Sequence, residues 1–179
     1  MEKTAKNNKV KRVCITGLMA ALVCVATAFI KMPTGINSGY LHFGDSMIYI
    51  AACVLPLPYA CAAAAVGGFV ADMLAGAAMW APFTAVIKAL NALPFALVYT
   101  LRKTQSPQKI LNKTTAFMPI VSGLITIFGY FLVEGLLYTF PSAAVSMLAS
   151  LVQATGSAVI YYIFAAALDK LDFKKRIMK

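Results

Sequence analysis

Long apolar runs separated by short polar stretches dominate the pattern of this chain. We predict one helix from each of six runs, with expected bounds of 13–30, 44–57, 59–74, 83–101, 117–138 and 143–168. A helix needs about 20 apolar residues to cross the hydrocarbon core of a bilayer. The pattern therefore predicts an all-α, integral membrane bundle of six transmembrane helices, with residues 1–179 forming a single transmembrane domain.

Two of these runs leave alternatives open. Residues 26–28 (Ala-Thr-Ala) imitate the site at which a signal peptide is cleaved, although the first run is long for a signal peptide. The second run is short, and Pro56 and Pro58 mark a break because proline lacks the amide donor of a helix. The second and third runs could therefore form one re-entrant hairpin. Residues 31–43 are expected to be a polar outer loop.

Composition and charge agree with a membrane protein. Hydrophobic residues make up 61% of the chain and charged residues 12%, whereas soluble domains are about half apolar and about a quarter charged. The net charge of +10 comes mainly from three basic clusters, at residues 3–12, 102–113 and 170–179. Basic residues at the ends of apolar runs mark the cytoplasmic side. We therefore expect both termini in the cytoplasm of a bacterial cell, with the chain in the plasma membrane.

The same pattern excludes other classes of protein. Basic residues interleaved with aromatic ones would indicate a nucleic-acid surface, and no such stripe is present. The four cysteines form no CxxC pair and a single histidine accompanies them, so we expect reduced, buried cysteines and no metal site or other cofactor. The cysteines are Cys14, Cys24, Cys53 and Cys61.

Ionisable residues inside apolar runs are costly, which makes them candidates for function. Lys88 shares one face of the fourth helix with Trp80, Thr84 and Asn91, at offsets of −8, −4 and +3. This face could contact an anionic or carbonyl oxygen of a ligand. Alternatively, Lys88 could form a structural ion pair with Asp72 or Glu134, the other ionisable residues deep in the runs.

Glu134 lies on the fifth helix among aromatic residues. Tyr130, Phe131 and Tyr138 share its face, at offsets of −4, −3 and +4. Aromatic rings around a carboxylate suit a flat, ring-shaped ligand that carries hydrogen-bond donors. The alternative is a belt of aromatic residues at the membrane surface, with Glu134 reaching water.

The remaining candidates lie on the sixth helix and near the outer loop. A polar stripe follows one face of the sixth helix, and it consists of Ser146, Ser150, Gln153, Ser157 and Tyr161. Gln153 is its most ligand-like member because its amide both donates and accepts. Hydrogen bonding between helices is the alternative for this stripe. Asp45 could be a helix N-cap, and His42 could be a ligand contact or a solvated loop residue. Together, these groups predict a mostly apolar pocket with a few polar groups, open to the outside.

Five segments in this order resemble the substrate-binding S components of energy-coupling factor (ECF) transporters. The similarity extends over nearly the whole chain, and it is closest to the broad riboflavin, pyrimidine and pyridoxine group. The segments are GYLHFGDSMIYIAA (Gly39–Ala52), GGFVADMLAG (Gly67–Gly76), WAPFTAVIKAL (Trp80–Leu90), GYFLVEGLLY (Gly129–Tyr138) and SLVQATGSAVI (Ser150–Ile160).

The resemblance implies a function in uptake. Such a protein binds a water-soluble vitamin or related heterocycle on the outside and hydrolyses no ATP itself. It delivers the ligand by reorienting in the membrane, together with a transmembrane coupling protein and two ATPase subunits. The residues that the matching segments imply for ligand binding are His42, Asp45, Lys88, Asn91, Tyr130, Glu134 and Gln153, and the ring of Trp80 would stack on the ligand.

The resemblance also implies that small residues of the first helix contact the coupling protein. The matching stretch is residues 17–21, in which Gly17 and Ala21 form a small-xxx-small pair and Ala20 adjoins them. Ala20, Cys24 and Ala28 form an alternative row. The same small residues could instead pack within the bundle of the protein itself.

Three other functions remain as alternatives. A membrane enzyme would need a nucleophile and base or a metal motif, and neither GxSxG nor HExxH occurs. An autonomous secondary carrier or channel would show a carboxylate near the midplane or inverted repeats. A purely structural membrane protein would bind no ligand.

Overall fold

The computed structural model describes residues 2–33, 40–101 and 109–178. Within these residues the chain forms seven helices and one pair of short strands, so the predicted all-α class is confirmed. The elements are α1 (Glu2–Ala28), β1 (Lys31–Pro33), β2 (Tyr40–His42), α2 (Gly44–Val54), α3 (Leu57–Leu74), α4 (Ala81–Leu101), α5 (Met118–Leu137), α6 (Phe140–Lys170) and α7 (Phe173–Met178).

The two ends of the chain are more helical than the apolar pattern predicts. Helix α1 begins at Glu2 rather than at residue 13, and it ends at Ala28. Lysine and arginine are good helix formers, so a helix can continue past the end of an apolar run. At the other end, Asp172 adopts a positive φ of 52° after α6, and the six-residue helix α7 follows. We did not predict α7, because six residues carry too little periodic signal.

Helix α2 is too short to cross a membrane. It has 11 residues and ends at Val54, where Leu55 turns to an extended conformation before Pro56. At 1.5 Å per residue α2 is about 16 Å long, roughly half of the hydrocarbon core. Among the described residues, five helices are long and apolar enough to span: α3, α4, α5, α6 and residues Lys9–Ala28 of α1. The protein is therefore a multi-pass membrane protein, and α2 is not among the helices that are long enough to span by themselves.

Part of the expected outer loop is a β-hairpin. Strands β1 and β2 pair antiparallel, with Lys31 opposite His42 and Met32 opposite Leu41. Residues 34–39 of that loop lie outside the described part of the chain. His42 is 4% exposed, so the hairpin ends inside the bundle and α2 starts there.

Helix α2 lies at the centre of the bundle and runs parallel to α6. Two contacts set this direction: Gln153 of α6 reaches Asp45 near the start of α2, and Tyr161 of α6 reaches Cys53 near its end. Every residue of α2 except Met47 is buried. Such a central position explains why this apolar helix can be short: protein surrounds it on all sides, and it does not need to match the thickness of the lipid.

The outside of the bundle is apolar, and many of the residues in its interior are small and closely packed. Large exposed apolar side chains occur on α1 and on α3–α6, as a lipid-facing surface requires. Inside, a Cβ atom at Gly67 of α3 would lie 2.7 Å from the carbonyl oxygen of Ala20 on α1. The Ala- and Gly-rich sequence of α3 thus allows close helix packing.

Hydrogen bonds hold the segment before α5 against the end of α6. The carboxylate of Asp169 accepts from the backbone N–H groups of Ile110 and Leu111, at 2.5 and 2.9 Å. The hydroxyl of Tyr162 donates to the carbonyl of Ala116 at 2.6 Å. The first part of the basic linker, residues 102–108, lies outside the described residues.

Candidate ligand-binding site

A buried ion pair joins α2 to α4 in the middle of the bundle. The Lys88 ammonium lies 2.6 Å from Asp45 Oδ1, and neither side chain is exposed. Gln153 Nε2 on α6 donates to the other carboxylate oxygen of Asp45, at 3.2 Å. The ion pair that we expected Lys88 to form with Asp72 or Glu134 is therefore formed with Asp45 instead. The expectation that Asp45 caps α2 is wrong, because the N-cap residue is Phe43, whose side chain makes no capping hydrogen bond.

Local structure explains why these three groups meet. Asp45 lies in the first turn of α2, where the partial positive charge of the helix N-terminus favours a carboxylate. Gly68 of α3 makes room for the stem of Lys88, since a Cβ there would lie 2.9 Å from Lys88 Cγ. Three helices that are distant in sequence thereby place a cation, an anion and an amide within hydrogen-bond distance.

His42 lies next to this cluster and is neutral. Its Nδ1 accepts a hydrogen bond from the backbone N–H of Gly44 at 3.1 Å, which requires that nitrogen to be unprotonated. Burial and the nearby charge of Lys88 lower the pKa of His42 to about 3, although Asp45 acts in the opposite direction. The alternative that His42 is a solvated loop residue is therefore wrong.

Aromatic rings connect the ion pair to the end of α5. The Lys88 ammonium lies 5.2 Å from the centroid of the Tyr130 ring, within range of a cation–π interaction. The Tyr130 hydroxyl is 3.3 Å from Thr84 Oγ1. Beyond Tyr130, the ring of Trp80 lies at 6.1 Å, and the ring of Tyr138 lies 6.2 Å from Trp80.

Asn91 and Glu134 are buried but are placed differently from the ion pair. Asn91 Nδ2 donates to Thr126 Oγ1 at 2.7 Å, and its backbone carbonyl accepts from the Ser122 hydroxyl at 2.8 Å, so Asn91 joins α4 to α5. Glu134 lies one helical turn beyond Tyr130 and is 6% exposed. The alternative in which Glu134 reaches water from an interfacial belt does not fit this burial.

Comparison with known proteins agrees with this arrangement. The model of the family described as "ECF-type riboflavin transporter, S component" matches residues 7–170, which is most of the chain. This chain belongs to that family. It is an S component. The S component is a non-enzymatic transport subunit, so the membrane-enzyme alternative is excluded, as are the carrier and the purely structural protein.

A second comparison finds a relative of this S component in Pyrococcus woesei. That protein is described as "Uncharacterized protein in gap 3'region" and is 30% identical over 138 residues. The match covers 77% of the S component described here and 88% of the relative. The similarity thus extends over nearly the whole relative.

The two rows of small residues on α1 of the S component are neighbours on the helix surface but differ in burial. Gly17 and Ala21 are exposed, and a Cβ atom built at Gly17 meets nothing within 4 Å. Ala20 is 9% exposed and its carbonyl faces Gly67, while Cys24 and Ala28 pack against α3. The alternative row therefore packs within the S component itself, and only the row with Gly17 and Ala21 is open to a partner.

Two features of the S component's site are not among the residues that the sequence analysis selected. Thr126 and Ser122 bind Asn91, and a polar face on α5 at their spacing is the only signal for them in the sequence. The turn between α3 and α4 also borders a cavity of about 240 Å³, which residues 75–80 and Tyr138 line.

The expected burial of the cysteines is wrong for Cys14, which is exposed on α1.

Proposed function

We propose that this S component binds riboflavin or a closely related flavin-like heterocycle on the outer side of the bundle, above the ion pair of Asp45 and Lys88. The description of the matched family points to riboflavin. The observation that carries the proposal is the convergence of Lys88, Asp45 and Gln153 from three helices beside a series of aromatic rings. Flat rings stack on aromatic side chains, and a few placed polar groups orient them.

The charge balance of the cluster favours an uncharged ligand. Asp45 already compensates the charge of Lys88, so the pair presents no net charge to the ligand. Ionised ligand groups would have to compete with a buried, hydrogen-bonded ion pair. In the proposal, the ligand ring stacks against Trp80 or Tyr130, and the polar edge of the ring meets the groups contributed by Lys88, Glu134 and Gln153. His42 and Asn91 support this site from β2 and α4.

Delivery depends on partners, because nothing in the chain resembles a phosphate-binding loop for ATP. We propose that a transmembrane coupling protein docks on the open row of α1 that contains Gly17 and Ala21. Two ATPase subunits would drive the reorientation of the loaded S component. The basic clusters support a topology with both termini in the cytoplasm of a bacterium. Helix α2, together with the residues that join it to α3, would then make the second crossing.

Titration of the purified protein with riboflavin tests the ligand assignment. We expect saturable binding near one ligand per chain, followed by calorimetry or by the change in flavin fluorescence. Gln153→Leu should weaken binding about tenfold if one hydrogen bond of about 1.4 kcal/mol is lost. Thr155→Val is the matched control, because Thr155 lies on the exposed face of the same helix. A folded protein that binds no riboflavin would refute the proposal.

Glu134→Gln provides an independent test of the same site. The substitution keeps the size and hydrogen-bonding ability of the side chain while removing its charge. We expect weaker riboflavin binding with little change in melting temperature. Unchanged affinity would remove Glu134 from the site without affecting the rest of the proposal.

A further inference from the structure

The cavity beside Trp80 has the form of a site for a flat ring. Two of its walls are the aromatic rings of Trp80 and Tyr138, whose planes are only 27° apart. The other walls come mainly from alanine and glycine at residues 75–78. Small residues leave space beside the rings, and a flat ring in this space can lie against both aromatic faces.

The turn that lines the cavity is held in one conformation. Helix α3 ends in a Schellman motif, in which Ala77 N–H donates to the carbonyl of Asp72 at 2.8 Å and Gly76 N–H donates to Met73 at 3.3 Å. Gly76 has a φ of 78°, which side chains other than glycine rarely adopt. Trp80 follows directly, and its backbone N–H donates to the carbonyl of Ala77 at 2.9 Å. The indole is therefore attached to a well-defined turn.

Aromatic contacts link the lining of the cavity to the polar cluster. Trp80 borders it and also lies 6.1 Å from Tyr130, whose ring lies beneath the Lys88 ammonium. At about 240 Å³, the cavity is smaller than the roughly 300–1,000 Å³ typical of pockets that enclose a whole drug-sized ligand. It can hold a fused ring, whereas a polar chain attached to that ring would have to extend beyond it.

We propose that Trp80 and Tyr138 form an aromatic platform that holds the flat ring of the ligand, with Tyr138 as a specificity-determining residue. This inference rests on the proposed function. It selects the pair of Trp80 and Tyr138, rather than Tyr130, as the surface on which the ring stacks. Tyr138 caps the C-terminal end of α5 and Trp80 precedes α4, so the platform spans the outer ends of two helices.

The test compares ring-keeping and ring-removing variants of the platform. Stacking of a base on an aromatic side chain contributes about 1–3 kcal/mol, so Tyr138→Ala and Trp80→Ala should each raise the Kd for riboflavin about tenfold or more. Tyr138→Phe keeps the ring and should stay within about twofold of the wild type on the same reasoning. Tyr138→Leu fills the volume without an aromatic face and should bind as weakly as Tyr138→Ala; it replaces that variant if alanine prevents folding.

A second probe separates the ring from the attached chain. Lumiflavin carries the isoalloxazine ring of riboflavin with a methyl group in place of the ribityl chain. Its Kd should therefore rise in Tyr138→Ala by the same factor as that of riboflavin. Riboflavin binding that is unchanged in Tyr138→Ala and Trp80→Ala would overturn the platform but leave the proposed function intact. A wild-type protein that binds no riboflavin would overturn the proposed function and the platform with it.

Discussion

The ammonium group of Lys88 lies 2.6 Å from the carboxylate of Asp45, and protein surrounds both side chains completely. Their positions are 43 residues apart in the sequence, on α4 and at the start of α2. Removing one member of such a pair leaves an uncompensated buried charge, whereas removing both does not. The pair is therefore a structural connection as well as a candidate ligand contact, and its two members should not tolerate substitution independently.

Lys88→Met should destabilise the protein by about 3–5 kcal/mol, because the Asp45 carboxylate would remain buried without its cation. The double variant Lys88→Met/Asp45→Leu should recover most of that loss. Thermal unfolding in the same detergent or nanodisc checks both. Equal losses in the single and double variants would show that the pair is not coupled.

Acid should destabilise the protein through His42. Its pKa is lowered to about 3 in the folded protein, against about 6.5 in an unfolded chain, so the unfolded state binds more protons in between. The free energy of unfolding should therefore fall by up to about 1.4 kcal/mol per pH unit as the pH drops from about 6.5 toward 3.

A His42→Asn variant serves as the comparison, because its amide oxygen can accept from Gly44 N–H but does not titrate in this range. Melting curves measured from pH 7 to pH 4 should show a smaller loss in this variant than in the wild type. Parallel curves would mean that groups other than His42 account for the acid sensitivity.

Two glycines should respond in opposite ways to alanine. Gly67→Ala places a methyl group 2.7 Å from the Ala20 carbonyl and should cost about 1–3 kcal/mol, since the two helix backbones must separate. Gly17→Ala meets open space and should be neutral or stabilising by up to about 1 kcal/mol, because alanine favours the helix. Similar melting temperatures for the two variants would contradict the packing of α1 on α3.

Larger side chains on the open row of α1 should separate binding from transport. Side chains at positions 17 and 21 point away from the bundle. In Gly17→Leu and Ala21→Leu, riboflavin affinity should therefore stay within about twofold of the wild type, as for other exposed substitutions. Uptake into cells that contain the ATPase subunits should fall severely, because a bulky residue prevents close helix approach. Leu18→Ile, on the same exposed side, is the control. Normal uptake in both leucine variants would refute docking at this row.

The sequence predicts the long helices well because each one depends on a local pattern. The apolar runs identify α3 to α6 to within a few residues at most ends, and the polar stripe on α6 does face the interior, with Ser146, Gln153, Ser157 and Tyr161 buried. Helical spacing also places Lys88, Thr84 and Asn91 on one buried face. These features need no knowledge of which helices are neighbours.

Contacts between distant segments are what the sequence does not reveal. Nothing near Asp45 indicates that its partners are Lys88 and Gln153, because the pairing depends on how α2 inserts between α4 and α6. The three-residue strands are too short for an alternating pattern to be recognised. The sequence also leaves the orientation of α1 open, because two rows of small residues could each face inward. The contact between Gly67 and the Ala20 carbonyl, which the sequence does not reveal, identifies the buried row.

The central position of α2 has a consequence for biogenesis. Translation produces α2 well before α6, yet the contacts that cover its polar end include Gln153, which lies 108 residues later. A short helix that carries Asp45 gains little from lipid alone, because a charged side chain at membrane depth is costly. We therefore expect the environment of Asp45 to be completed only when α6 has been made and has packed against α2.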